Sequence, residues 1–300
     1  MDHITLGVFS PSVLLDVARD TGRLTDAGLR VRDVPVPSSP AQFTSLRDGE
    51  FDAVFTSPDN VLAYRFLPAN PLGELLDVEI VAGIDRGLRL CLAARPDVTG
   101  LSEIARGRLG VDVPNSGFAF VGYALLDELG ISRDDLEIVT LGSTPKRAKA
   151  LSGGGCDLTV LNAGNELSAR ADGCLLLADV SRLGPYLGTV VARLRDGNGA
   201  AAVDRLVGVL GDTARAIRCG ALDAEAAASA ARLLNLDAEL AAEHVGVLRS
   251  PLHGLIGDGA VDVAALGTLV ALRRRFLPMP ELDGLTERFD VVVRPDALVG

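Results

Sequence analysis

Three acidic side chains and one arginine are candidates for acting on a small-molecule ligand. Asp59, Asp85 and Glu166 could give or take a proton if burial raised the pKa of their carboxyl groups. Arg86 could hold a ligand carboxylate through two parallel hydrogen bonds, or it could pair with Asp85 or face solvent. The sequence contains no HExxH, GxSxG or phosphate-binding P-loop motif, which excludes three common mechanisms.

The cysteines and histidines do not form a metal-binding pattern. None of the four cysteines belongs to a CxxC motif, and the three histidines add no close pair of ligands. A structural zinc site needs closely spaced ligand pairs. We therefore predict neither a metal nor a cofactor.

A second group of candidate residues falls in loops that follow predicted strands. Several of them open helices, whose free N–H groups and positive dipole end attract carboxylate, sulfonate or phosphate. This favours an anionic or polar ligand, although the same side chains could merely cap their own helices. Two aromatic residues in the group could hold a flat ligand or belong to ordinary packing. The predicted ligand-binding residues are Phe9, Ser10, Ser38, Ser39, Ser57, Asp59, Asn60, Arg86, Asn115, Ser116, Gly117, Phe118, Thr144, Asn162 and Glu166.

An internal repeat positions these loops. Residues 31–60 and 136–165 follow one pattern at an offset of 105. Each copy predicts a strand, a helix with Ser39 or Thr144 as its N-cap, a glycine stop and a second strand. The apolar runs that close the copies are typical of buried parallel strands. Because ligands bind at the carboxyl ends of such strands, the repeat predicts two similar lobes that face one another across a cleft.

Composition narrows the class of protein. With 300 residues and 48% hydrophobic residues, the chain can bury a large core. A net charge of -11 argues against binding to nucleic acid or to anionic membranes. No apolar run approaches the length of a membrane span. The chain enters a strand at once, without a leader, which predicts a cytoplasmic protein; a chain trimmed of its signal would look the same and would belong in the periplasm or another extracytoplasmic space.

The order of elements predicts an α/β protein with two βαβ lobes and a helical C-terminal third. Lobe 1 is expected to comprise residues 1–86 and 195–300, and lobe 2 residues 87–194. Residues 79–95 and 187–195 are predicted to be the two strands that cross between the lobes. The helices of the C-terminal third are expected to pack back on lobe 1.

Six segments are spread over almost the whole chain: ITLGVF, AGLRV, LRDGEFD, FTSPD, LGVDVPNSGFAF and LSGGGCDLTVLN. Together, and in the correct order, they resemble type II periplasmic binding proteins. The most similar branch contains the nitrate-, sulfonate- and taurine-binding components of ABC transporters and the thiamine-pyrimidine-synthase-like proteins. The resemblance implies two lobes joined by two crossing strands, with a small molecule between them and an ABC permease as partner if the protein is exported.

The sequence leaves two functions open. The first is binding of a small, anionic or carboxylate-bearing solute, which selects a closed state of the lobes. The second is a cytosolic, cofactor-free lyase acting on a small carboxylate, since the resemblance also extends to menaquinone-pathway enzymes and dihydroxyphthalate-decarboxylase-like lyases. In that case Asp59, Asp85 or Glu166 would transfer protons and Arg86 would anchor the substrate. The fold alone does not decide between them.

Overall fold

Two five-stranded sheets form the centres of two lobes in the computed structural model, which describes residues 1–197 and 199–300. The strands are β1 (Asp2–Val8), β2 (Leu29–Pro35), β3 (Ala53–Thr56), β4 (Val78–Gly83), β5 (Cys91–Ala94), β6 (Arg108–Val111), β7 (Glu137–Thr140), β8 (Leu158–Leu161), β9 (Leu175–Asp179), β10 (Val190–Leu194), β11 (Val261–Asp262) and β12 (Leu298–Val299). The sheet of lobe 1 has the order β2-β1-β3-β10-β4, and that of lobe 2 has the order β7-β6-β8-β5-β9. In each sheet the first three strands are parallel, and the fourth (β10 or β5) is antiparallel to both of its neighbours. The two lobes therefore share one topology.

The helices cover the sheets and fill the C-terminal third. They are α1 (Val13–Asp20), α2 (Arg23–Asp26), α3 (Ser39–Arg47), α4 (Pro58–Phe66), α5 (Gly117–Glu128), α6 (Thr144–Ser152), α7 (Asn165–Ala171), α8 (Ala200–Arg218), α9 (Asp223–Leu234), α10 (Ala238–Arg249) and α11 (Val263–Phe276). The predicted α/β class and helical C-terminal third are confirmed. In the described part of the chain, no helix combines the length and apolar character needed to cross a bilayer.

The internal repeat is confirmed down to individual hydrogen bonds. Asp52 and Asp157, which are related by the offset of 105, each precede a strand of a different sheet. The Asp52 carboxylate accepts the backbone N–H of Thr5 at 2.7 Å, and the Asp157 carboxylate accepts that of Arg108 at 2.8 Å. In each lobe the equivalent aspartate therefore connects the second strand of the repeat to the parallel strand beside it.

The predicted N-caps are wrong by one residue. Ser38 and Ser143 are the N-caps of α3 and α6, so Ser39 and Thr144 are the first helical residues. Both positions carry pairs of residues that favour capping, and the pattern alone does not separate the members of such a pair. A proline follows as the second helical residue in both copies, where its missing N–H is not needed.

The chain returns to lobe 1 earlier than predicted. Residues 190–194 were expected to end lobe 2, but β10 pairs with β3 and β4 in the sheet of lobe 1. The predicted boundary at residue 194 therefore lies too late. A short strand in which four of five residues are apolar fits either sheet, which is why the sequence did not place it. The crossings meet at residues 84–85 and 188–189, where Ile84 N–H donates to Thr189 and Gly188 N–H donates to Asp85, at 2.8 and 2.9 Å.

Two C-terminal helices contact both lobes, contrary to the expectation that this third packs on lobe 1 alone. α11 packs on α4 of lobe 1 and on α5 of lobe 2, and α10 touches α7 of lobe 2. Phe276 at the end of α11 stacks on Phe120 of lobe 2 with ring centroids 6.1 Å apart, and it meets Tyr123 edge-on at 5.5 Å. One hydrophobic core consequently runs through residues of both lobes.

Candidate functional site

A cleft lies between the lobes, at the carboxyl ends of their parallel strands. It consists of two connected chambers of about 850 and 680 Å³, counted with their open mouths. Phe9, Ser57, Phe118 and Thr144 line both. We call the larger one the apolar chamber; its walls include Val13, Leu14, Phe55, Ile84, Leu88, Leu234, Leu248 and Leu255, with Ser10, Thr56, Asp85, Asn162, Thr189 and His244 as polar members. We call the other the polar chamber, after the helix starts and charged side chains around it; it is lined by Ser38, Ser39, Asn60, Asp112, Ser116, Gly117, Ser143 and Arg147, together with apolar residues that include Pro37, Pro40 and Val113.

Most of the predicted binding residues meet at this cleft. Those that line it are Phe9, Ser10, Ser38, Ser39, Ser57, Asn60, Ser116, Gly117, Phe118, Thr144 and Asn162, and the predicted acid Asp85 joins them. They come from both lobes. This was expected from the rule that ligands bind at the carboxyl ends of parallel strands, which we call the strand-end rule.

Four predicted residues lie elsewhere. Asp59 is 1% exposed, and both its oxygens accept hydrogen bonds from Arg273, at 2.7 and 2.6 Å. Glu166 is fully buried outside both chambers, where one oxygen accepts the N–H of Gly164 at 2.9 Å. Asn115 is exposed and does not line either chamber. Arg86 lines a separate cavity together with residues 180–187, and its guanidinium is bound only by the carbonyl of Leu255, at 3.5 Å, within the described residues.

The N-termini of four helices open onto the polar chamber. Ser38, Ser57 and Ser116 cap α3, α4 and α5 through their own hydroxyl groups, as the alternative interpretation of these residues anticipated. Ser143 at the start of α6 makes no capping bond from its side chain. Each of those caps satisfies one N–H group of its helix, whereas no side-chain cap occupies the first N–H groups of α6 among the described residues. All four dipoles favour negative charge in the chamber.

Arg147 is a buried cation that sequence analysis missed. It is 1% exposed, yet it lines the polar chamber. Its guanidinium donates to the carbonyls of Val160 and Gly142 and to the hydroxyl of Thr144, at 2.5 to 3.3 Å. None of these partners is charged, and no carboxylate in the described chain lies within 4.0 Å. Burial lowers the pKa of this guanidinium because the charged form is poorly solvated.

The sequence contained one indication that Arg147 is buried, namely its position on one face of the predicted helix. Thr144, Arg147 and Leu151 stand at spacings of three and four and are all buried. In the first copy of the repeat the equivalent residue is Gln42, whose side-chain amide donates to the carbonyls of Gly7 and Phe55, at 3.1 and 3.0 Å. Both side chains tie a helix to the sheet, but only Arg147 adds a charge.

Asp85 is the buried acid of the apolar chamber. It is 2% exposed and accepts hydrogen bonds from Thr189 and from the N–H of Gly87, the latter at 2.8 Å. Burial raises the pKa of Asp85 to about 6, although these hydrogen bonds act in the opposite direction. The carboxylate is thus mostly ionised at neutral pH, at the point where the two crossings meet.

His244 stands in the same chamber. It is 1% exposed, and burial lowers its pKa to about 4, so the imidazole is neutral at physiological pH. Its Nδ1 has no hydrogen-bond partner within the described residues. The apolar chamber thus contains an ionised acid and an unsatisfied imidazole nitrogen.

The floor of the cleft carries strained backbone. Leu88 and Ala163 both line the apolar chamber and have φ values of 46° and 55°. Residues with side chains rarely adopt this left-handed region, and such strain concentrates at functional sites. The N–H of Ala163 donates to the carbonyl of Leu88 at 3.1 Å, which joins the crossing to lobe 2.

Comparison with known proteins establishes the fold. No family model matches the chain, and no curated protein matches it in sequence. The alkanesulfonate-binding protein SsuA from Xanthomonas axonopodis pv. citri, solved bound to MOPS, is 16% identical with a TM-score of 0.73, over 99% of this chain and 98% of that one. The ligand-binding component of an ABC-type import system from Staphylococcus aureus is 12% identical with a TM-score of 0.75, over 99% and 98%. The desulfurization enzyme DSZB is 17% identical with a TM-score of 0.63, over 97% and 93%.

These likenesses confirm that the chain has the periplasmic-binding-protein fold. The same architecture carries binding proteins and an enzyme, so the chemistry of the cleft has to distinguish between them.

Proposed function

We propose that this protein binds a small anionic solute in the cleft and holds it by closure of the two lobes, in the manner of the substrate-binding protein of an ABC transporter. The observation that carries the proposal is Arg147, a buried guanidinium with no carboxylate within 4.0 Å in the described chain, placed where four helices begin. Asp112 lines the same chamber and attracts Arg147 only from a greater distance. A buried charge is expensive unless it is paired. A bound carboxylate or sulfonate would supply the missing charge.

The other contacts of the polar chamber suit an anion. The N–H groups at the start of α6 and the hydroxyl groups of Ser39 and Thr144 are hydrogen-bond donors. The alkanesulfonate-binding protein that shares this fold was solved with MOPS, a sulfonate, which supports the same ligand class here. Outside the cytoplasm, this function would require an ABC permease as partner.

Contacts between the lobes support closure. Gly117 of lobe 2 approaches Asp59 of lobe 1 so closely that a Cβ atom on Gly117 would lie 2.8 Å from the Asp59 Cβ. The first turns of α4 and α5 therefore touch at the edge of the polar chamber. A ligand in the polar chamber, between the two lobes, would be shielded from water by this contact.

Most of the residues predicted to serve a lyase do not lie in the cleft. Asp59 is paired with Arg273, Glu166 lies outside the cleft, and Arg86 faces another cavity. Asp85 is the one predicted acid that lines the cleft.

A thermal-shift screen of small carboxylates, sulfonates, sulfate and phosphate tests the proposal. A ligand at about 100 times its dissociation constant should stabilise the protein by about 2.7 kcal/mol. Each ligand found is then incubated with the protein and followed by mass spectrometry. A ligand that stays intact supports binding, whereas its consumption would show an enzyme.

Substitution of Arg147 locates the site. We expect Arg147→Gln to lower the affinity for the anion by at least about tenfold, because a charge-assisted hydrogen bond is lost. The variant should still fold, since Gln42 makes the equivalent bonds with a neutral amide. Lys146→Gln is the matched control, because it removes a positive charge from an exposed position of the same helix. Equal affinity of the two variants, measured by calorimetry, would contradict the placement of the anion.

A further inference from the structure

We infer that the ligand is bifunctional, with an anionic group at Arg147, an apolar body that passes Phe9 and Phe118, and a cationic or hydrogen-bond-donating group at Asp85. This inference rests on the proposed function and specifies its ligand class.

The first argument is that each chamber contains a fully buried charge, Arg147 in the polar chamber, where Asp112 is a more exposed neighbour, and Asp85 in the apolar chamber. Arg147 and Asp85 are each at least 98% buried, and neither has an oppositely charged partner within 4.0 Å in the described chain. Among residues 1–197 and 199–300, Arg147 donates only to neutral oxygen atoms, and Asp85 accepts only from Gly87 and Thr189, while the charge of Arg86 acts on Asp85 without a hydrogen bond. A simple anion would satisfy Arg147 and leave Asp85 without a counter-charge. A ligand with an ammonium or amide N–H at its other end would satisfy both.

The charged groups around Asp85 do not supply that partner. Arg86 is adjacent in sequence, but its guanidinium contacts the carbonyl of Leu255 and faces a different cavity. Burial is the main cause that raises the pKa of the Tyr186 phenol, and the charges of Asp59, Asp85 and Asp112 raise it further, so this side chain is neutral. His244 lines the same chamber and is also neutral, since burial lowers its pKa to about 4.

The second argument is the wall between the two charges. Phe9 and Phe118 line both chambers, so a ligand that reaches from one charge to the other passes them. The apolar chamber beyond is walled by leucine, isoleucine, valine and phenylalanine side chains. Such walls bind hydrocarbon and exclude water, which strengthens the interaction of the ligand with Asp85.

The third argument is the group of polar atoms that line the apolar chamber together with Asp85. His244 Nδ1 is buried without a partner, and Asn162 and Thr56 line the same chamber. A neutral imidazole offers one acceptor nitrogen, and the amide oxygen of Asn162 offers another acceptor. A ligand ammonium, which has three N–H donors, would find several acceptors at this end of the cleft.

Isothermal titration calorimetry with matched ligands tests the inference. The full chain is titrated near pH 8 with unbranched alkanoates and alkanesulfonates of about four to eight carbons, and with the ω-amino derivative of each. For the chain length that fits best, we expect the amino derivative to bind about tenfold more tightly than its parent, because it adds a charge-assisted hydrogen bond.

Asp85→Asn identifies the residue responsible. The variant should lose the preference for the amino derivative while keeping the affinity for the unsubstituted anion. Asp134→Asn, at a side chain that is 89% exposed, is the control and should keep the preference. If Asp85→Asn does not fold, the native protein provides the test. The preference for aminoalkanesulfonates should fade as the pH falls through about 6, where Asp85 gains a proton and the sulfonate stays ionised.

The outcomes separate this inference from the proposed function. If the unsubstituted anions bind as tightly as the amino derivatives, or if Asp85→Asn keeps the preference, the ligand is not bifunctional and the proposed function stands. The same conclusion follows if only sulfate or phosphate binds. If no anion of any kind binds, the proposed function fails and this inference fails with it.

Discussion

Glu166 is a buried carboxyl group that takes no part in the cleft. Burial raises its pKa from the ordinary 4.5 to about 7, so folding disfavours its ionised form. Its contribution to stability is complete below about pH 4.5 and is lost as the pH rises through about 7. Glu166→Gln imitates the protonated form at every pH. We therefore expect the variant to be more stable than the parent at about pH 8, by up to about 3 kcal/mol, and similar to it at about pH 4.5.

Urea unfolding at the two pH values checks this expectation, and Glu243→Gln provides a control of opposite sign. Hydrogen bonds from Arg170 hold the pKa of Glu243 near 2, so its ionised form stabilises the fold above the ordinary pKa, and this stability is lost only as the pH falls through about 2. Glu243→Gln should therefore destabilise the protein at about pH 8. An equal effect of Glu166→Gln at both pH values would show that Glu166 titrates normally.

At the scale of elements, the contact between α4 and α5 sets how closely the lobes approach. Asp59 is held by Arg273, so it cannot move away from a Cβ atom added at Gly117. We expect Gly117→Ala to push the lobes apart and to weaken anion binding by about tenfold, in line with the usual penalty for overpacking. Small-angle scattering should show a larger radius of gyration for the variant.

Gly122→Ala is the matched control for this substitution. It lies on the same helix, and its added Cβ would come 2.9 Å from a methyl group of Val160 within lobe 2. This variant should lose stability but keep both the radius of gyration and the affinity. If Gly117→Ala behaves in the same way, the contact between the lobes does not control binding.

The strand-end rule explains both the success and the gaps of the sequence analysis. It located the loops of the cleft because parallel strands expose their carboxyl ends on one edge. It did not give the direction of each side chain within a loop. Asn60 lines the polar chamber, whereas its neighbour Asp59 turns away to Arg273, a partner 214 residues later in the chain. Such a distant pair leaves no local signal.

The order of strands in the sheets was also only partly predictable. The repeat predicted the parallel core of each sheet because its two copies share hydrophobic pattern and glycine stops. The sequence did not show that β10 joins lobe 1, since every residue of this strand except the last is buried and no alternating pattern marks its partners. Likewise, the contacts of α10 and α11 with lobe 2 depend on the distances between helices, which a single sequence does not contain.

At the scale of the molecule, α11 links the lobes, and we expect them to unfold together. Phe276 packs on Phe120 and Tyr123 of lobe 2, and its helix α11 contacts α5 of lobe 2 as well as α4 of lobe 1. Calorimetry of the parent should show one transition whose calorimetric and van't Hoff enthalpies agree. Phe276→Ala should lower stability by about 2 kcal/mol and broaden the transition, because it removes aromatic packing between the lobes.

Phe66→Ala provides the comparison for this experiment. Phe66 is also half-buried, but it lies in lobe 1, where Arg288 covers its ring at 5.2 Å. Its removal should lower stability and leave one sharp transition. Two separate transitions in the parent protein would show that α11 does not couple the lobes.

The pairing of Gln42 with Arg147 has a consequence for how such a molecule can diversify. Both residues fasten a helix to a sheet, so the architecture tolerates either an amide or a guanidinium at this place. An exchange of one for the other would therefore change the charge at the start of the helix while keeping the helix attached to the sheet. In a protein built from two similar lobes, the residue found in one lobe thus indicates a substitution to try at the equivalent position of the other.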